Sequence, residues 1–364
     1  MSPKSVAINT LDWFAKQVLD WSRSHGRSDF PWQSNKSPYR VWVSEIMLQQ
    51  TQANTVVSHF SRFVEEFPNI EALASATEDD VLSSWMGLGY YRRALRLREA
   101  ALQLVEQFGG KLPRTIPELC SLPGIGRSTA GAILSCAYNL PAPILDANVR
   151  RVLSRFHAVN GPEESRIPDS KLWQLAESHT PNDDVGSYTQ AIMDFGSKQC
   201  IQSNPLCDVC PLRGRCIAFR SDSVHLYPKP RKSPQVVEIT RRPLVILDSQ
   251  GACLLKRLGD GGTYSRLWET PDLQPNANVE QTLAQMQLPI ETATIYNGGE
   301  ISPYNVSNQR ISESVTVVRY GLQSSVIGTP TGTSWYRNHE ETPLGMSVKT
   351  QRRIDLARNF GVQS

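Results

Sequence analysis

Four of the chain's seven cysteines fall within seventeen residues, in the order Cys200-x6-Cys207-x2-Cys210-x5-Cys216. Four thiols in so short a span can close around one compact centre, and the chain between them must then loop tightly around it. Zinc accepts four thiolates, but its sites usually pair two C-x2-C knuckles, and this run has one. A cubane cluster held at four corners suits the spacing better, with zinc as the alternative. The opening residues, MSPKSVAINTLDWF, lack the apolar run of a secretory signal, which argues against a disulfide framework. Cys120, Cys136 and Cys253 stand apart among apolar neighbours and are expected as buried core thiols.

The rest of the chain divides in two. From Leu11 to about Phe219 apolar residues return every three or four positions, as in Leu11, Phe14, Val18 and Trp21, or Ala53, Val56, Val57, Phe60 and Phe63. Breakers at Pro68, Gly87, Gly89, Gly109-Gly110, Pro123-Gly124, Pro141 and Pro162 cut this stretch into short helices, so residues 1–225 read as a mainly α region. Residues 226–238 carry three prolines and three basic residues and read as a linker. Beyond it RPLVILDS, ACLLKRL and SVTVVRYGL cluster β-formers between turn residues, so residues 239–364 read as an α+β domain. Net charge is +3, too small to point to nucleic acid by itself. The run Tyr91–Arg98, YRRALRLR, is expected as a solvated helix face. No segment has the apolar length that spans a bilayer, and a cytoplasmic, nucleoid-associated monomer is expected.

Three stretches of the helical part carry chemistry. In LPGIG, Pro123 ends one helix while Gly124 and Gly126 permit a tight turn into the next. The outward N–H groups of such a turn and of the following helix start suit a phosphate oxygen, although a Gly-rich turn is more often only a turn. Asp146, in ILDANVRRVLSRF, heads a periodic helix and has the bland role of N-cap open to it. Glu45 is the single acid in PWQSNKSPYRVWVSEIMLQQTQANTV. Such a carboxyl is either a surface group at the helix edge or one in a low-dielectric pocket, where its pKa rises and it can donate a proton.

Taken in order, the helix–hairpin–helix, the downstream Asp146 and the cysteine run resemble the endonuclease III superfamily of DNA glycosylases. Within it VWVSEIMLQQTQ, WMGLGYYRRA, LPGIGRSTAGAIL and ILDANVRRVL are similar to the MutY-type adenine glycosylases, and the match runs from about Phe30 to Cys216. The resemblance implies removal of adenine paired with 8-oxoguanine or guanine in double-stranded DNA, a [4Fe–4S] cluster on Cys200, Cys207, Cys210 and Cys216, and a C-terminal MutT-like domain that recognises the lesion. It makes Glu45 the donor of a proton to N7 of adenine and Asp146 the carboxylate that stabilises the cationic sugar. Asn148 would hydrogen-bond around that carboxylate or the attacking water. Gln50 and Tyr90 match residues that intrude into the duplex beside the partner base, and Trp32 and Gln190 match residues of the base pocket. Gly124, Gly126 and Ser128 belong to the DNA-binding hairpin, and Lys198, Arg213 and Arg215 would set cations against phosphates. Ser128 stands where strand-cleaving members carry a lysine that attacks the sugar, so the chain is expected to remove the base and stop.

The C-terminal part departs from the pattern. The G-x5-E-x7-R-E-x2-E-E box of MutT hydrolases is missing, so nucleotide hydrolysis is not expected. Where the family carries a Phe-Ser-His loop, the nearest stretch is Ile311-Ser312-Glu313. Ser312 would keep its contact, while a carboxylate near phosphates would repel, which implies weaker discrimination of 8-oxoguanine from guanine. Two rivals share parts of this reading: a thymine or uracil mismatch glycosylase of the same superfamily, and a non-catalytic iron–sulfur DNA-binding protein.

Overall fold

The computed structural model describes residues 12–159, 169–229, 235–262, 264–274 and 276–359. Leu11, Pro162 and positions 230–234 of the expected linker lie outside them. The chain forms two compact units, Met1–Glu71 with Glu99–Lys232, and Ala72–Arg98 with Ser233–Ser364. Composition alone gave no hint that Ala72–Arg98, from the middle of the helical stretch, packs with the C-terminal residues. None of the described helices is long and apolar enough to cross a membrane.

The first unit is helical. Asp12 caps the helix Trp13–His25 by accepting from Ala15 N, and Ser37 caps Pro38–Leu48, whose first turn is preset by proline. Phe14, Val18 and Trp21 meet Val149, Val152 and Phe156 of the helix Ala147–His157 and Ile192 and Phe195 of Val185–Lys198 in one apolar core. In Ala53–Glu66 the residues Val56, Phe60 and Phe63 turn inward, as their spacing requires. Gly196 matters for the site: a Cβ there would lie 2.6 Å from Asn148 Cβ, so glycine lets the two helices meet at Asn148.

The second unit holds a seven-stranded mixed sheet, made of β1 (Val237–Arg241), β2 (Leu244–Leu247), β3 (Cys253–Arg257), β4 (Trp268–Glu269), β5 (Ala293–Val306), β6 (Gln309–Tyr320) and β7 (Thr333–Tyr336). Its path is β1-β6-β2-β3-β4, with β5 antiparallel to β6 and β7 antiparallel to β3. Val237 and Glu238, read as the end of the linker, open β1. All four residues of β2 are buried because both sheet faces are covered. Val245, Leu247, Val315 and Val317 pack under Ile354 and Ala357 of the helix Val348–Asn359. Leu244, Ile246 and Val318 pack under Leu283 of Val279–Gln285.

Cysteine burial and the arginine run differ from expectation. Cys253 is buried and Cys136 half-buried, but Cys120 is exposed, because it sits near the end of the short helix Ile116–Ser121. In Tyr91–Arg98 only Arg92 and Arg96 face solvent. Arg93 donates to the carbonyls of Leu88 and Gly89, and Arg98 to that of Ala76.

Candidate active site

A cavity of about 400 Å³ opens in the first unit, lined from the five helices Pro31–Ser34, Pro38–Leu48, Ala53–Glu66, Ala147–His157 and Val185–Lys198, and most of the residues expected to do chemistry line it: Trp32, Glu45, Asp146, Asn148 and Gln190. Glu45 is carried by Pro38–Leu48, a helix whose Trp42, Val43, Ile46 and Met47 are buried. Desolvation, and then the charge of Asp146, push its carboxyl up to about 7, so near neutral pH the group holds a proton it can give. Of the two readings open for Glu45, the structure realises the pocket.

Asp146 realises both of its readings at once. It caps Ala147–His157 by accepting from Val149 N at 2.7 Å, and it lines the cavity. Burial raises its pKa; the Val149 and Asn148 bonds and the Arg151 charge oppose that rise. Asn148 Nδ2 donates to Asp146 Oδ2 at 3.3 Å, and Arg151 Nη2 donates to Asn148 Oδ1 at 2.9 Å. Arg151 also reaches the carbonyls of Gly196 and Cys200, at 2.5 and 2.7 Å. One guanidinium therefore joins the carboxylate's support to the cysteine loop.

Trp32 is buried, stacked on Phe30 at 4.6 Å and edge-on to Phe60 at 5.5 Å. In the same cavity, Gln190 Nε2 donates to Asp194 Oδ1 at 3.2 Å. Asp194 is 1% exposed and holds Arg27 through its backbone N, Nε and Nη2, at 2.8, 2.7 and 2.5 Å. Arg27, Arg151 and Asp194 escaped the sequence reading. Asp194 carried a signal, as the lone acid in the apolar run YTQAIMDFG.

The hairpin joins Ile116–Ser121 to Arg127–Tyr138. Gly124 has φ +83°, which a side chain rarely adopts, and Ile125 is buried beneath the turn. Gly126 is the exposed N-cap and offers no side chain, so the first N–H groups of the helix stay open to a ligand. Gln49 fixes the turn by donating to Gly124 O and Thr129 Oγ1, at 3.4 and 3.3 Å. Ser128 is turned inward instead: its Oγ accepts from Leu145 N at 3.0 Å. Gln50 and Tyr90 are both exposed and both left-handed, at φ 56° and 48°. Non-glycine residues held this way cluster at functional sites. Gln50 belongs to the first unit and Tyr90 to the second.

Cys200, Cys207, Cys210 and Cys216 line one small cavity with Val152, Phe156, Phe195 and Leu212. Among the described residues no three His, Cys, Asp or Glu side chains converge closely enough for a single metal ion. Arg155 tests whether a larger anionic group fits. Its side chain is nearly fully buried and donates to Cys200 Sγ at 3.5 Å and to the carbonyls of Ile201, Gln202 and Tyr227. Among the described residues no carboxylate pairs with it. A buried cation needs a negative partner, and a thiolate-held cluster is one. Lys198 and Arg213 are drawn to the carbonyls of His25 and Asp208, and Arg215 lies over the Trp13 ring.

One expectation is corrected. Ile311-Ser312-Glu313 is part of strand β6, and Ser312 lies opposite Thr240 of β1. Glu313 is 3% exposed and faces inward, bound by Arg353 and by the Tyr304 hydroxyl. Strand alternation sends it to the covered face, so its charge is neutralised inside and repels no phosphate.

The family model described as "HhH-GPD superfamily base excision DNA repair protein" matches residues 43–177. An adenine DNA glycosylase from Buchnera aphidicola subsp. Schizaphis graminum is 38% identical over 73% of this chain and 76% of its own length. Another, from Buchnera aphidicola subsp. Baizongia pistaciae, is 34% identical over 78% of this chain and 80% of its own. The solved structure of a thermostable thymine-DNA glycosylase superposes with a TM-score of 0.53 at 26% identity, covering 57% of this chain and 95% of that one.

Proposed function

The chain belongs to the MutY-type adenine DNA glycosylases of the HhH-GPD superfamily, enzymes of base excision repair, and from that premise we propose that it takes adenine from pairs with 8-oxoguanine or guanine and leaves the strand uncut. The observation that carries this reading is the pairing of Glu45 and Asp146 across one cavity, with Glu45 pushed up to about 7.

Adenine leaves a sugar poorly until its ring is protonated, so an acid is needed on the base side. The target nucleotide must first swing out of the duplex. Trp32 and Gln190 receive the flipped base, and Glu45 gives it a proton. Positive charge then grows on the sugar, where Asp146 opposes it; groups aimed at transition-state charge each contribute about 10²–10³ in rate. Asn148 and Arg151 hold the Asp146 carboxylate in place. Two carboxylates with opposite duties parallel the glycoside hydrolases. With Ser128 tied to Leu145 and no amine at that place, no Schiff base forms there.

Duplex recognition rests on the open helix start at Gly126 for phosphate, on Gln50 and Tyr90 as wedges beside the partner base, and on a C-terminal domain of MutT-like type, whose helix–sheet–helix layering supports it. Cys200, Cys207, Cys210 and Cys216 would hold a [4Fe–4S] cluster, which supplies negative charge and a fixed loop geometry there. Arg151 and Arg155 tie that loop to the helix that Asp146 caps. The enzyme acts as a monomer.

The test is base release from duplexes carrying adenine, thymine or uracil opposite 8-oxoguanine or guanine, read before and after alkali. Adenine should be released, with strand breaks only after alkali. The thymine-DNA glycosylase structure favours a second reading, thymine removal, but it spans 57% of the chain where the adenine relatives extend over 73% and 78%. Thymine release without adenine release would replace the first reading with the second.

A further inference from the structure

The helix Glu78–Ser84 begins with three acids, and they do different things. Asp80 stays local and closes a capping box with Thr77. Glu78 and Asp79 reach residues 178 to 266 positions away, in the strands and loops of the same compact unit. Glu78 pairs with Arg266 at 2.5 Å and Arg257 at 3.1 Å. Asp79 Oδ1 accepts from Trp268 Nε1 at 3.0 Å and from Gly345 N at 3.1 Å, while its Oδ2 meets Arg257 at 3.3 Å. A Cβ on Gly345 would lie 2.4 Å from Leu82 Cβ, so this contact admits only glycine at its present spacing. Met86 packs on the apolar cluster under Val348–Asn359.

The anchored helix leads directly to Tyr90. Trp85, fully buried, is its C-cap, and Trp85 Nε1 donates to Gly89 O at 3.2 Å. Arg93 Nη2 donates to Leu88 O and Gly89 O, and its guanidinium lies over the rings of Trp85 and Tyr90 at 5.4 and 5.5 Å. Tyr90 itself is left-handed and 51% exposed, a conformation that persists only where its surroundings enforce it.

We propose that Asp79 is a positioning residue for Tyr90: it fastens the wedge-bearing turn to the C-terminal strands, so that the partner-base wedge is set from the same unit as the lesion-reading domain. This rests on the reading of Tyr90 as a wedge. Rigid coupling has a clear energetic meaning, because an exposed tyrosine intrudes usefully only if its backbone does not yield when it enters the stack.

Two measurements test it on the full chain. In the free protein, Asp79→Ala should raise amide hydrogen exchange across residues 85–93 by about tenfold, while Asp79→Asn, which keeps the acceptor for both N–H donors, should stay within about twofold of the parent. Unchanged exchange in Asp79→Ala overturns the proposal, as does equal loosening in both variants. In single-turnover release of adenine opposite 8-oxoguanine, Asp79→Ala and Tyr90→Ala should each slow the reaction about tenfold, and the double variant should be no slower than Tyr90→Ala alone. A double variant slowed by the product of the two effects overturns it. If the parent chain releases no adenine at all, the functional reading falls, and the exchange measurement still decides whether Asp79 fixes the turn.

Discussion

Ser128 Oγ accepts a hydrogen bond from Leu145 N at 3.0 Å, one residue before Asp146. The residue that bars an amine from the hairpin also fixes the segment that delivers the second carboxylate. Ser128→Lys should therefore do two things. Its amine should attack the sugar, giving strand cleavage and a complex trapped by borohydride, while the lost tether slows base release. Efficient trapping by the parent chain would mean that another lysine serves, and the strand-sparing reading would fail.

Glu45 sets the pH dependence. Its acid form is the active one and its pKa is raised to about 7, so adenine release should fall as pH rises through about 7. The same shift has a stability sign. The folded state holds this proton more tightly than the unfolded chain, so the contribution of Glu45 weakens as pH rises from the ordinary carboxyl range to about 7. Glu45→Gln should thus melt higher than the parent at pH 8 while releasing almost no adenine. A flat rate profile between pH 6 and 8 would remove Glu45 from the donor role.

Asp146→Asn isolates charge from structure. Asparagine caps helices as well as aspartate does, so the bond from Val149 N and the fold should survive. Loss of the charge should slow adenine release by about 10²–10³ with duplex binding intact. A variant within about tenfold of the parent, roughly 1.4 kcal/mol of barrier, would mean that Asp146 serves only as the cap.

What could be read in advance follows from how each signal is encoded. Val56, Phe60 and Phe63 announced a buried helix face through spacing alone, and Glu45 and Asp146 stood out because each is an acid beside an apolar run. Arg27, Arg151 and Arg155 were hidden because an arginine in a sequence normally reads as solvated, and only tertiary packing draws their guanidinium groups to Asp194, Asn148 and Cys200. The same holds for Ala72–Arg98. Its bond to the C-terminal strands depends on Asp79, Trp268 and Gly345, which are distant in sequence and share no local pattern.

The cysteine cavity predicts a colour. Purified protein should be brown, with broad absorption near ~400 nm. Arg155→Met, which removes the buried guanidinium beside Cys200, should weaken retention of that absorption, and Cys207→Ser should weaken DNA binding more than chemistry on bound substrate. Colourless protein with one equivalent of zinc would reassign the centre.

Glu313 gives the last prediction, and it runs opposite to what the sequence suggested. Restoring a histidine there, as in the family's Phe-Ser-His, would be expected to sharpen discrimination if the side chain faced DNA. It faces Arg353, which is fully buried and held on its other side by Glu269 at 2.5 Å. Removing one partner of such a buried pair typically costs about 3–5 kcal/mol, because the remaining charge is left uncompensated. The second carboxylate on Arg353 moderates that loss without abolishing it. Glu313→His should therefore lower the unfolding midpoint and leave the ratio of binding to 8-oxoguanine over guanine, measured with a non-cleavable adenine analogue at fixed salt, unimproved. Ser312→Ala, on the adjacent outward-alternating position, should change that ratio with little effect on the midpoint. If instead Glu313→His kept the midpoint and raised the ratio, the inward ion pair would not be what holds this strand, and residue 313 would belong to the surface that reads the lesion.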